Sequence, residues 1–260
     1  MAIPTLAELT ARGETPDILF WVGCAGSFDD RYKRVTLAFA RILKAASIRF
    51  AILGNEEACT GDPARRAGNE FLFQMMALNN IQRLNDYGVK KIVTACPHCY
   101  NTLKNEYPEL GGKYEVIHHT ELLQKLLDEG RIVLSEDSRI NERVTYHDSC
   151  YLGRANGVYH APRAILEALK ADLVEMKRSR QRGLCCGAGG AQMFKDAEKG
   201  KKEINLERTE EALTTGAKTI AVACPFCMTM MSDGVKAKEK QQEVKVKDLA
   251  ELIAEAKGLL

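Results

Sequence analysis

Lys91-Ile-Val-Thr-Ala95 runs straight into Cys96-Pro97-His98-Cys99, and Thr219-Ile-Ala-Val-Ala223 into Cys224-Pro225-Phe226-Cys227. Each apolar run has the length of a buried strand, and proline suits the first helical position, so both stretches predict a strand passing directly into a helix. The two sulfurs of Cys-Pro-x-Cys then lie on one side of the helix's first turn. Exposed backbone N–H groups there favour thiolate over thiol.

Working outward, the whole chain repeats once. Cys24 and Cys150 stand 126 residues apart, as do Cys59 and Cys185, while Cys96/Cys224 and Cys99/Cys227 are each separated by 128. Ile18-Leu-Phe-Trp-Val22 and Val144-Thr-Tyr-His147 are the strands ahead of the first cysteines. A helix follows each, Asp30 to Ala46 with an apolar stripe of Val35, Leu37, Ala40, Leu43 and Ala46, or Pro162 to Ala171. Strands are expected at Phe50 to Leu53 and Asp172 to Met176, longer helices at Glu70 to Tyr87 and Ala197 to Thr215. After each Cys-Pro-x-Cys come Glu115 to His118 with helix Thr120 to Leu127, and Val244 to Lys247 with helix Asp248 to Ala256. Strands alternating with helices predict an α/β fold of two tandem pseudo-symmetric domains, each a small parallel sheet flanked by helices. The polar stretch Leu134 to Arg143 reads as the linker, giving domains 1–139 and 140–260. In an open parallel sheet, ligands collect beyond the carboxyl ends of the strands, where Cys24, Cys96, Cys150 and Cys224 all fall.

Composition narrows the function classes. The 260 residues are 45% hydrophobic and 28% charged, enough for a substantial core. Thirty-seven Lys and Arg are interspersed with thirty-five Asp and Glu for a net charge of +2, which argues against a nucleic-acid partner. Met1 to Asp17 lacks a secretory pattern, and the apolar stretch Thr219 to Met231 is short and holds Pro225. A cytoplasmic location is expected, with peripheral docking on the cytoplasmic membrane through a partner left open. There, nine cysteines point to metal or redox chemistry rather than disulfides.

The second copy offers five thiols: Cys150, Cys185, Cys186, Cys224 and Cys227. Structural zinc takes four ligands, and adjacent cysteines strain to serve one zinc, whereas a multi-iron cluster has several corners to receive them. Iron–sulfur is the better reading, with zinc open. Gly187, Gly189 and Gly190 let main-chain N–H groups approach a bulky anionic cluster. The first copy has Cys59-Thr60-Gly61-Asp62 in place of the double cysteine, leaving Cys24, Cys59, Cys96 and Cys99. Those suffice for a cubane [4Fe-4S] cluster or zinc, and loss of metal also stays open. His118-His119 reads as structural, and His98 as a donor to sulfur or a solvent-facing residue. His147 and Asp148 read as groups around the centre rather than catalytic ones. Met228, Met230 and Met231 read as packing, and the charged run Lys236 to Lys247 as a solvated face. No complete G-x-G-x-x-G fingerprint is present, and no catalytic residue is assigned.

Cys150, thirty-four residues, Cys185-Cys186-Gly187, thirty-six residues, then Cys224-x-x-Cys227 resembles the cysteine-rich CCG domain. That domain occurs in the B and D subunits of heterodisulfide reductase, in the iron–sulfur subunits of glycolate oxidase and anaerobic glycerol-3-phosphate dehydrogenase, and in lactate-utilisation proteins. The resemblance implies a non-cubane [4Fe-4S] cluster on Cys150, Cys185, Cys186, Cys224 and Cys227. It also implies an electron-transfer subunit exchanging electrons with a thiol/disulfide, quinone or flavoprotein partner. A C-x₂-C-x₂-C-x₃-C-P run is absent from these residues, so a ferredoxin-like Fe–S subunit or flavoprotein, with a membrane quinone-linked partner as an option, is the expected donor or acceptor. Two readings of other classes stay open: a non-redox zinc-binding docking module, and a thiol-based sensor or oxidoreductase using Cys185-Cys186 or the Cys-x-x-Cys pairs directly.

Overall fold

A computed structural model describes residues 3–135, 138–196 and 200–260. The chain divides into two compact units, one ending at Ile132 and the other beginning at Val133. This division lies ahead of the 139/140 boundary expected from composition, because residues before 140 are tied to the second unit. Ser138 Oγ donates to the Ala256 carbonyl at 2.9 Å and Lys257 Nζ donates to that of Val133 at 2.7 Å. Glu136 and Asp137 of the expected linker lie outside the described residues.

Unit 1 runs α1 (Leu6–Ala11), β1 (Ile18–Trp21), α2 (Gly23–Phe28), α3 (Asp30–Ala45), β2 (Phe50–Ala51), α4 (Asp62–Arg66), α5 (Glu70–Asp86), β3 (Lys91–Thr94), α6 (Pro97–Asn101), β4 (Glu115–His118) and α7 (His119–Asp128). Its four strands are parallel in the order β2-β1-β3-β4. Ile18, Leu19, Phe20 and Trp21 are all buried, which is why β1 reads as a continuous apolar run instead of alternating. Phe39 of α3 meets Phe20 edge to face at 5.1 Å between centroids. The buried stripe of α3 includes Val35, Phe39, Ile42 and Leu43; Leu37, expected in it, is 42% exposed. Neither α1 nor α2 is expected from the sequence, and β2 is shorter than the run Phe50 to Leu53.

Unit 2 repeats the plan: β5 (Arg143–Tyr146), α8 (His160–Ala168), β6 (Asp172–Leu173), α9 (Ile204–Leu213), β7 (Thr219–Val222), α10 (Pro225–Ala237), β8 (Lys245–Asp248) and α11 (Leu249–Ala256). Its strands are again parallel, in the order β6-β5-β7-β8. Helix α9 starts later than the expected Ala197, of which residues 197–199 lie outside the described set. After β1 the chain moves outward to β2 and returns past β1 to β3, so the strand order reverses between β1 and β3, and likewise between β5 and β7. The crevice beyond the carboxyl ends at such a reversal is the usual ligand position. Cys24 and Cys96 border it in unit 1, Cys150 and Cys224 in unit 2. The last helix of each unit opens with the same device: His118 and Asp248 cap α7 and α11, answered by Glu121 and Glu251 in capping boxes.

In unit 2, α9 and α10 pack through a glycine contact. A Cβ on Gly234 of α10 would lie 3.2 Å from the Asn205 carbonyl and 2.9 Å from Thr209 Cβ, with Thr209 Oγ1 closer still. Gly234→Ala is therefore expected to destabilise the protein by about 1–3 kcal/mol through overpacking, outweighing the ~1 kcal/mol helix preference for alanine. Chemical denaturation of the two proteins measures it, and an unchanged or raised midpoint would contradict the packing described.

Candidate metal centres

In unit 2 the five expected thiols come together. Cys150 reaches Cys185 with their sulfurs 3.9 Å apart. Cys185 and Cys186 interact through their thiols, as do Cys186 with Cys227 and Cys227 with Cys224. Cys186, Cys224 and Cys227 are buried, and Cys150 and Cys185 are half-buried at the mouth. Cys224 caps α10 with Pro225 at the first helical turn, as the Cys-Pro-x-Cys reading expects.

Hydrogen bonds fix where negative charge rests in this nest. Cys185 accepts from the thiols of Cys150 and Cys186 and from the Gly187 N–H at 3.3 Å, and these donors hold its thiol far below the usual range. Cys150 and Cys186 are pushed up, first of all because each keeps its proton in a hydrogen bond donated to Cys185. Gly187 adopts φ +94°, a left-handed conformation that glycine takes without strain, and its N–H meets the sulfur two residues back. A Cβ on Gly189 would sit 3.9 Å from Cys150 Sγ, whereas one on Gly190, at φ +68°, would meet nothing within 4 Å.

The two residues that follow β5 are held by arginines. Asp148 receives both Nη groups of Arg163 at 2.8 and 2.9 Å and the Arg180 N–H at 2.7 Å, so its oxygens are taken up in anchoring loops. His147 is fully buried, and a ring nitrogen lies within 4.8 Å of the Cys186 and Cys227 sulfurs. Burial, with Arg208 beside it, lowers His147 to about 3, so it stays neutral throughout the physiological range.

Unit 1 repeats the nest with four thiols. The Cys24 thiol is lowered to about 6, chiefly by a hydrogen bond from Cys59 and then by N–H groups at the start of α2. Cys99 is pushed up, first by giving a hydrogen bond to Cys96, then by burial and by the charges of Cys96, Cys24 and Cys59, which places all four near one another. Gly61, with φ +89°, donates to Cys59 at 3.5 Å, as Gly187 does to Cys185. Thr60 takes the place of the second cysteine, its Oγ1 3.9 Å from Cys99 Sγ. Beside it stands a polar network: His98 Nδ1 pairs with Asp62 at 2.9 Å, and Arg66 Nε donates to Asp62 at 3.1 Å and bridges to Glu106. His98 is thus engaged with a carboxylate rather than facing solvent. Glu57 accepts from Val22 N at 3.0 Å and Gly23 N at 2.5 Å, and burial raises its carboxyl to about 7 against those donors.

Other expected groups are structural. His118 bonds Thr120 at 2.8 Å and meets Tyr100 edge to face, while His119 packs on Phe39. Met228 and Met231 are buried core. Sequence reading missed Arg208, Arg163 and Glu57. Arg208 had a usable signal, since Asn205, Arg208, Thr209 and Ala212 share the buried face of α9 at helical spacing; the other two are visible only once the loops are folded.

The donor set suits a polynuclear iron–sulfur group. Five thiols in one nest exceed the four of a zinc tetrahedron. His147 Nε2, on the ring beside the Cys186 and Cys227 sulfurs, is buried with no protein partner. Buried donors are rarely left so, and the sulfides of a cluster are acceptors that an isolated zinc ion lacks.

Comparison with known proteins agrees with this chemistry. A Bacillus subtilis protein named Probable iron-sulfur-binding oxidoreductase FadF is 49% identical over 255 residues, matching 98% of this chain and 36% of its own. An EtfAB:quinone oxidoreductase of Syntrophomonas wolfei is 47% identical over 254 residues, 95% of this chain and 35% of its own. A subunit of the Methanosarcina barkeri dihydromethanophenazine:CoB--CoM heterodisulfide reductase is 37% identical over 256 residues, 94% of this chain and 59% of its own. The chain thus spans about a third of the length of the first two relatives. No helix among the described residues is long and apolar enough to cross a membrane. The family model for the CCG cysteine-rich domain matches residues 18–104 and again 144–232, and the chain belongs to that family, with two copies of the domain in tandem.

Proposed function

We propose that the chain is the iron–sulfur, electron-transferring part of a multi-subunit oxidoreductase. The observation that carries the reading is the single nest formed by Cys150, Cys185, Cys186, Cys224 and Cys227. In this reading those five residues hold a [4Fe-4S] group of non-cubane type, and Cys24, Cys59, Cys96 and Cys99 hold a cubane [4Fe-4S] cluster. Bound there, such clusters supply one-electron transfer at a potential set by net charge, hydrogen bonds to sulfur and solvent exposure. The chain's own part is to keep the site largely dry around Cys186, Cys224 and Cys227, to aim the Gly187 and Gly61 N–H groups at sulfur, and to place the start of α10 against negative charge.

The half-buried edge at Cys150 and Cys185 is the side on which we place electron exchange, or contact with a thiol or disulfide. A ferredoxin-like Fe–S subunit or a flavoprotein is the proposed donor, and a quinone-linked membrane partner the proposed acceptor. The relatives named as a quinone oxidoreductase and as part of a heterodisulfide reductase support that class of partner.

Anaerobically purified protein is expected to contain iron and acid-labile sulfide, and Cys186→Ser to lose the iron and EPR signal of unit 2 while that of unit 1 persists. Zinc without sulfide would replace this reading with a non-redox docking module, and a colourless metal-free protein with a reactive thiol would replace it with thiol chemistry. A second measurement separates the units: Thr60→Val is expected to keep all the iron of the native protein, because four thiols complete that site. Iron loss in this variant would make the Thr60 oxygen a ligand.

A further inference from the structure

We infer that His147 is a positioning residue that presents an Nε2–H, and no lone pair, to the sulfur of the group in unit 2, because Arg208 locks its tautomer. The inference rests on the iron–sulfur reading of that unit. By distance alone His147, Cys186 and Cys227 form a three-ligand metal site, with their donor atoms within 4.8 Å of one another. The hydrogen bonding argues otherwise.

Arg208 Nε donates to His147 Nδ1 at 2.9 Å. A guanidinium has five N–H donors and no acceptor, so Nδ1 must supply the lone pair and the proton of the neutral ring must sit on Nε2. A hydroxyl or amide partner would leave the tautomer open; an arginine does not. Arg208 itself is clamped: its Nη1 donates to the Arg178 carbonyl at 2.8 Å and to Glu211 at 3.1 Å, and Glu211 is held in turn by Arg178 Nε at 2.9 Å. The His147 backbone is pinned as well, its N–H donating to the Ala221 carbonyl of β7 at 2.9 Å. Nε2–H is buried without a protein acceptor, and the nearby sulfurs are where an acceptor would lie.

The repeat supplies an independent observation. Trp21 stands three residues ahead of Cys24, as His147 stands three ahead of Cys150. It too is fully buried, with its Nε1–H lacking an acceptor. Indole nitrogen only donates and cannot ligate a metal. Both units therefore place a ring N–H at the same register, which fits a donor and not a ligand.

The test uses the metal-loaded protein. Iron and sulfide are measured first; a native protein lacking them sinks the parent reading, separately from the rest. With iron retained, His147→Leu should lower the midpoint potential of the unit 2 centre, because a donor to sulfur stabilises the reduced, more negative form. The shift should be on the order of tenfold in the reduced-to-oxidised ratio, about 59 mV for one electron. His147→Gln, which keeps an N–H, should recover most of it. Pulsed EPR of the native protein with ¹⁵N-labelled histidine reads the bonding mode directly: weak coupling supports the inference, and its loss in His147→Gln assigns it to this ring. Coupling of a directly bonded nitrogen, or equal potentials in all three proteins, would overturn it.

Discussion

Sulfur atoms about 4 Å apart cannot all be ionised without a cation among them. Two thiolates at the 3.9 Å of Cys150 and Cys185 repel by about 4 kcal/mol at an effective dielectric of 20. Hydrogen bonding between the thiols lowers Cys185 and raises Cys150 and Cys186, so neighbouring sulfurs share protons rather than ionise together. The scaffold works against this repulsion. It brings segments far apart in sequence to one crevice, and it points the Gly187 N–H and the first turn of α10 at the sulfurs. Parallel strands are required for that, because only their shared direction puts Cys150 and Cys224 at the same end of neighbouring strands β5 and β7.

Duplication preserved this scaffold more strictly than its contents. Strand order, the Cys-Pro-x-Cys helix start, the left-handed glycine and the capping boxes on α7 and α11 recur in both units. The residues facing the sulfurs diverged. Thr60 stands where Cys186 does, and the His98–Asp62–Arg66 network of unit 1 has no equivalent among the described contacts of unit 2. A scaffold whose backbone supplies the donors tolerates such exchange.

The features legible in the sequence are those set by local periodicity and by residue type. Apolar runs such as Thr219 to Val222 mark strands, Pro97 and Pro225 mark helix starts, and the cysteine spacing marks the repeat. Short edge strands read too long, because the pairing of β2 with β1 ends at Ala51 and Ile52 bridges instead to Thr5. Leu37 fits a helical stripe yet faces outward, since Phe39 and Ile42 supply the buried face of α3. The pairing of His147 and Asp148 with their partners lies beyond any pattern, although helical spacing marks Arg208 as buried. Arg208 and Arg163 are distant in sequence, and their roles follow from the packing of α8 and α9 around the strand end.

Those two arginines separate the units electrostatically. Burying a guanidinium costs several kcal/mol even when paired, and the Arg208 side chain is fully buried while that of Arg163 is 8% exposed. Asp148, Glu175 and Glu211 offset part of that cost, and Arg208 Nη2 still lacks a partner. In unit 1 the arginines next to the nest, Arg65 and Arg66, keep about a quarter of their side-chain surface in water. Water and salt screen their field, whereas Arg208 acts through a medium that screens little. A buried cation with a spare N–H is hard to account for in an apolar core. Its bearing on the nest runs through His147, whose Nδ1 it holds at 2.9 Å and whose ring lies beside the Cys186 and Cys227 sulfurs.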